Sequence, residues 1–268
     1  MKKFIKRLLL ISILFVGLIS FFKIRETFNL ASIFDLSYRQ EKTADYSKLK
    51  NNLEKEANNN PMVLWLWENF DSLSDIEQKL IGNDSDTIEF VYNYENNITD
   101  FPYQEGVSKD YNRLTPYYIQ RDKRWAYKSL SSSNIGFAGC GPTSMAMVLA
   151  RLENDSSITP LTIAEDANSY MSENGISWQF FTDEANKYQR SIENISIDEE
   201  SMINALEKGP LIVSVGPGNF TLSGHILVID TYENGKFIIN DPNSLKNTEN
   251  SRSFDQLKDQ IVSIWLIY

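Results

Sequence analysis

The chain has 268 residues, 42% of them hydrophobic, a formal net charge of −10, one cysteine (Cys140) and one histidine (His225). Five Trp, 13 Tyr and 15 Phe exclude a disordered chain, one cysteine excludes an intramolecular disulfide, and one histidine excludes zinc sites built on several imidazoles. The charge is uneven: residues 1–25 hold six cations and no acid, leaving 20 basic against 36 acidic residues, or −16, in a body that argues against nucleic-acid binding and favours basic partners at long range.

The N-terminus reads as an export signal. A basic start, MKKFIKR, precedes the unbroken apolar run of residues 8–22. The run is short for a spanning helix, a shortfall that snorkelling of Lys6, Arg7 and Lys23 can cover. No small-x-small cleavage site follows it, so the expected form is an uncleaved signal anchor over residues 1–30, with cleavage and secretion as the competing fate. The basic N-terminal flank keeps that end cytoplasmic and places the body outside.

Residues 31–60 are polar and Asn-rich, and read as a stalk or loose helix. Residues 61–113 form a helical preamble and connection. Val63, Leu66, Trp67, Phe70 and Leu73 recur at helical spacing. Ser74 and Glu77 predict a capping box for a short helix closed near Gly82, and Asp84 or Ser85 can cap another carrying Ile88, Val91 and Tyr92. The third region, 114–268, predicts a long helix from Gly141-Pro142 through Leu152, with further helices at 160–172, 178–189 and 199–208. Strands follow at Leu211–Val215, His225–Tyr232, Lys236–Asn240 and Ile261–Ile267. Helices first and antiparallel strands last make an α+β fold.

Chemistry concentrates on the two singletons. Cys140 lies in Gly139-Cys140-Gly141-Pro142 at the mouth of the long helix, where exposed peptide N–H groups stabilise a thiolate. The alternative for a lone thiol is a buried structural cysteine. His225 opens an otherwise apolar strand, and Asp241 ends the next one in Asn240-Asp241-Pro242, a sequence that also commonly starts a turn. A two-residue Asn234-Gly235 turn sets residue 228 opposite 241 and puts His225 and Asp241 on opposite faces. A three-residue loop with a glycine bulge sets 227 opposite 241 and brings them together, and that loop is the expectation.

The segments Tyr117-Tyr118-Ile119-Gln120-Arg121-Asp122-Lys123-Arg124-Trp125 and Ile135-Gly136-Phe137-Ala138-Gly139-Cys140-Gly141-Pro142-Thr143-Ser144 are one half of a pattern. Ser223-Gly224-His225 and Asn240-Asp241-Pro242-Asn243 are the other. Together they resemble the bacterial cysteine peptidase family thirty-nine, in its stand-alone, exported peptidase-like branch, over roughly residues 115–245. The resemblance implies a papain-like fold, with the cysteine on a helix and histidine and aspartate on the facing sheet. It implies an extracytoplasmic peptidase with Cys140 as nucleophile, His225 as base and acid, Asp241 orienting the imidazole and Gln120 stabilising the oxyanion. Position 134 is Asn where many papain-like enzymes have Gln.

No cofactor or metal is called for. The expected partner is a peptide or protein substrate at the cell envelope, with membrane attachment through the N-terminal helix. Two other readings stand beside a peptidase: the same triad acting on peptidoglycan stem peptides as an amidase, endopeptidase or transpeptidase, and a binding module that keeps the fold without hydrolysis. Leader processing after a double glycine is not expected, because the chain has no nucleotide-binding motif and its domain should face outward.

Overall fold

The computed structural model describes residues 42–268, and the expected signal anchor lies outside them. Among the described residues no helix is long and apolar enough to cross a membrane.

The described residues open with four α-helices: α1 (Tyr46–Ala57), α2 (Pro61–Glu68), α3 (Asp75–Asn83) and α4 (Ile88–Glu95). Of the stalk or loose helix expected up to residue 60, the described part contains a packed helix. Leu49, Leu53 and Ala57 recur every four residues, forming one stripe on α1 that is buried against Leu66, Phe70 and Ile81. Asp45 caps this helix by accepting from the N–H groups of Ser47 and Lys48. Helix α3 begins with the predicted capping box, in which the Ser74 N–H donates to Glu77 at 2.8 Å and Ser74 Oγ accepts from the Glu77 N–H. A Cβ on Gly82 would come within 2.6 Å of the Leu49 side chain, so glycine permits the close α1–α3 approach.

The preamble is docked through Phe90. Its ring lies 4.8 Å from that of Phe137 and 5.3 Å from that of Tyr127. It also covers Gly136, where a Cβ would meet it at 2.3 Å.

A short hairpin, β1 (Ser129–Leu130) and β2 (Ser133–Asn134), leads into the single turn α5 (Ile135–Ala138) and then the long α6 (Cys140–Glu153). After α7 (Pro160–Ala167) come a second small hairpin, β3 (Met171–Ser172) and β4 (Gly175–Ile176), and α8 (Gln179–Lys187). Strand β5 (Ile192–Asn194), α9 (Glu199–Leu206), β6 (Leu211–Val215), β7 (His225–Glu233) and β8 (Lys236–Asn240) follow. The single turns α10 (Leu245–Thr248) and α11 (Phe254–Leu257) precede the last strand, β9 (Ile261–Ile267). Five strands make one antiparallel sheet in the order β5-β9-β6-β7-β8. Ile212, Ile226 and Val228 pack with Met145, Val148 and Leu149 of α6. Leu211, Val213 and Leu227 pack with Met202 and Ala205 of α9. Burial on both faces explains why β6 is apolar or small throughout rather than alternating.

The β7–β8 hairpin reaches the expected register by a different device. Its turn has two residues, not three: Glu233 pairs with Lys236, and Asn234 and Gly235 take φ of 52° and 77°. The register shifts between Ile229 and Thr231, so Asp230 is an extra, bulged residue, and Val228 pairs with Asn240. One step further, Leu227 stands opposite Asp241. The bulge is pinned from outside the hairpin: the Asp230 carboxylate accepts from the Thr115 N–H at 2.9 Å and pairs with Arg151 of α6 at 3.1 Å. Replacing Asp230 by alanine leaves Arg151 half-buried without its counter-charge. The expected cost is about 3 kcal/mol, read as a fall in the denaturation midpoint.

Candidate active site

Cys140 starts α6, directly after Gly139 and the one-turn α5. The Asn134 side chain caps α5 by accepting from the Phe137 N–H at 3.0 Å, a local structural task for the residue that departs from the family pattern. A Cβ on Gly139 would lie 2.3 Å from the Ile135 carbonyl oxygen, so only glycine lets the chain turn from one helix into the next at the cysteine. Ser144 Oγ donates to the Ile226 carbonyl at 3.3 Å and ties the second turn of α6 to the start of β7. That link brings the helix mouth to the end of the strand that begins with His225.

His225 and Asp241 are both buried, and His225 Nε2 is 2.7 Å from Asp241 Oδ1. Nδ1 is the ring nitrogen left free of Asp241; Cys140 lines the same cavity as His225, and the two groups shift each other's ionisation. The carboxylate is held on every side. Oδ1 also accepts from the Asn243 N–H at 2.8 Å, and Oδ2 accepts from Asn247 Nδ2 at 2.8 Å. The Tyr117 hydroxyl donates to the Asp241 carbonyl at 2.9 Å, and the Asp241 N–H donates to Thr248 Oγ1 at 2.9 Å. Asn247 and Thr248 are site residues that sequence reading missed. They lie six and seven residues past Asp241 on a short helix that no motif marks.

The electrostatics of the three groups are coupled. Burial raises the Cys140 pKa, but hydrogen bonding and attraction from His225, together with the Ile226 and Gly141 backbone groups, outweigh it and bring the thiol below its ordinary 9.0. Burial pushes the His225 imidazole down, while Asp241 and Cys140 pull it up to about 9. Burial opposes ionisation of Asp241, yet His225, Lys42 and Asn247 hold its pKa below the usual carboxylate value. The lowered thiol and the raised imidazole both favour the thiolate–imidazolium form of the pair.

Gln120 lines the same cavity as Cys140 and His225, and its Nε2 donates to the Gly136 carbonyl at 2.9 Å. Its own N–H donates to the Pro242 carbonyl at 2.8 Å, which stitches the Gln120 segment to the turn that carries Asp241. The cavity measures about 200 Å³. Helix α3, through Ile76, Lys79, Leu80 and Asn83, and the loop Thr221–Gly224 also line it. The preamble thus forms part of the cleft. A larger cavity of about 430 Å³, between Lys109–Tyr118 and the end of α6, contains neither Cys140 nor His225.

The family model for the Peptidase_C39 like family matches residues 113–268, more than half of the chain. The chain belongs to this peptidase C39-like family. Among solved structures it is similar to the peptidase domain of Streptococcus ComA, a bi-functional ABC transporter of a quorum sensing pathway. That match has 18% identity and a TM-score of 0.39, and covers 48% of this chain and 89% of that one. It is also similar to a double glycine motif protease from an AMS/PCAT transporter in complex with its leader peptide. Here identity is 16% and the TM-score 0.39, with 61% of this chain and 97% of that one covered. No curated protein matches the chain. Leader-peptide binding and transport belong to those neighbours. The C39-like chain described here has an α+β architecture, with the cysteine on a helix and the histidine on an antiparallel sheet.

Proposed function

We propose that this protein is a cysteine peptidase in which Cys140, His225 and Asp241 form the catalytic triad. The observation that carries this reading is the 2.7 Å His225–Asp241 contact, with Cys140, at the start of its helix, lining the same cavity as that imidazole. The thiolate attacks the substrate carbonyl, and the imidazolium then protonates the departing amine to leave an acyl-enzyme. His225 next takes a proton from water, whose hydroxyl attacks the thioester; collapse of the intermediate releases the carboxylic acid and restores the thiolate–imidazolium pair. Asp241 keeps the ring oriented throughout. The Cys140 N–H and the free hydrogen of Gln120 Nε2 are the donors assigned to the tetrahedral oxyanion.

The pH dependence follows from the two shifted groups. As pH falls below the lowered Cys140 pKa, the thiolate is lost. As pH rises through about 9, His225 loses the proton it must deliver. Hydrolysis of internally quenched peptides by the full-length protein is expected to give a bell-shaped kcat/KM profile whose basic limb lies near pH 9, and to stop after iodoacetamide treatment. A rate that survives complete alkylation would contradict the reading.

The basic start and apolar run of residues 1–25 lead us to place the enzyme outside the cytoplasmic membrane, held there by its N-terminus. A membrane-impermeant thiol reagent applied to intact cells is expected to label Cys140. Labelling only after lysis would contradict that location.

A further inference from the structure

The wall of the cleft beside Cys140 carries two cations that make no ion pair among the described residues. Arg121 is only 8% exposed, donates through Nη1 to the Asn243 carbonyl at 3.0 Å, and leaves its buried Nε without a partner. Lys42 is half-buried and lines the same cavity. A guanidinium with one backbone partner for its five N–H donors is incompletely satisfied in a buried place.

Nearby acids do not close the account. Both oxygens of Asp241 are engaged, by His225, Asn243 and Asn247. Asp84 uses Oδ1 to accept from the Asp86 N–H, and its buried Oδ2 has no partner. Lys79 does not add to the count, because Asp75 neutralises it at 2.8 Å. Gln120 Oε1, in the same cavity, is the other buried acceptor without a partner, so the open donors of the two cations still outnumber the two open acceptors, and they line the cavity that holds Cys140. Burial lowers the pKa of both cations, while Asp84 and Asp241 sustain their charge from beyond contact distance.

We propose that Arg121 and Lys42 form a carboxylate-binding subsite next to Cys140, so that the enzyme prefers peptides presenting a carboxylate close to the bond it cuts. This rests on Cys140 being the nucleophile. A carboxylate completes the guanidinium in its planar, two-point geometry and takes the lysine as a second donor. The site opposes the long-range trend of the body, whose −16 charge favours basic chains. The preference therefore acts at contact range.

The test uses the chain's only thiol. Full-length protein, Lys42→Gln and Arg121→Lys are alkylated with iodoacetate and with iodoacetamide. The wild-type ratio of the two rates is expected to exceed that of each variant by about threefold or more. Lys42→Gln alters a half-buried residue at the cavity wall and keeps the test valid if Arg121→Lys does not fold. Equal ratios in wild type and Lys42→Gln overturn the subsite and leave both cations as counter-charges to Asp84 and Asp241. Slow alkylation by both reagents, with the pH dependence of an ordinary thiol, counts instead against Cys140 as nucleophile.

Quenched peptides with Glu or Gln at each position flanking the bond, and with a free or amidated C-terminus, separate the two sources of carboxylate. The acidic member of one pair is expected to be cut about tenfold better. Equal cleavage of every pair overturns the proposal.

Discussion

Replacing Cys140 by alanine lowers kcat for peptide hydrolysis by on the order of 10⁴-fold or more. Every step of the reaction passes through this sulfur, and the chain has no second thiol to substitute for it. Alanine retains the Cβ and is a better helix former, so α6 and its junction with Gly139 remain. The loss is therefore chemical, and the circular dichroism spectrum and thermal midpoint should stay close to wild type. Serine at the same position is also expected to be inactive. Its hydroxyl ionises far above any thiol, and a buried imidazole poised to hold a thiolate at neutral pH cannot hold an alkoxide there. Kinetic assay of the purified variants, beside wild type treated with iodoacetamide, checks this outcome. Residual hydrolysis in the alanine variant would require another nucleophile.

Replacing Phe90 by alanine costs about 3–5 kcal/mol of stability. The ring is 2% exposed and joins Tyr127, Phe137 and Gly136 of the cysteine-bearing half to the preamble. Its removal leaves a cavity at that seam. For a chain of this size the change appears as a fall in Tm of roughly 10 °C. Phe137 and the α3 wall line the catalytic cavity, so the variant should also raise KM. On this packing, the preamble is expected to act as a fixed part of the folded protein rather than a segment to be shed. A preamble that could be removed without loss of stability or activity would contradict this view.

Much of the site was legible because thiol catalysis constrains residue types tightly. One cysteine at a helix mouth and one histidine at a strand mouth leave little freedom, and both are where local pattern placed them. The His225–Asp241 register shows the limit of such reading. The correct pairing was anticipated, but through a three-residue loop. In the molecule an Asn-Gly turn of two residues is corrected by a bulge at Asp230, and the bulge is held by Arg151 and Thr115, 79 and 115 residues away. A hairpin's own sequence carries no trace of partners so distant. The packing of helix α1 escaped notice for a related reason. Three apolar residues in a polar stretch become a stripe only when α3 is there to receive them. The cleft wall was equally hidden, because amphipathic spacing says that a helix docks without saying where. Arg121 stood next to Gln120 in a motif already singled out, yet its burial and incomplete partners appear only in three dimensions.

The central claim is that Cys140 exists as a thiolate paired with the His225 imidazolium. The pH dependence of iodoacetamide alkylation at Cys140 tests it most directly, because no other thiol contributes. Wild type is expected to react as a thiolate below the ordinary thiol value of 9.0, with a second change near pH 9 as His225 deprotonates. In His225→Ala the second change should vanish and the reactivity should shift up in pH. A wild-type profile with one ordinary thiol titration, superimposable on that of His225→Ala, would contradict the pairing and the mechanism built on it.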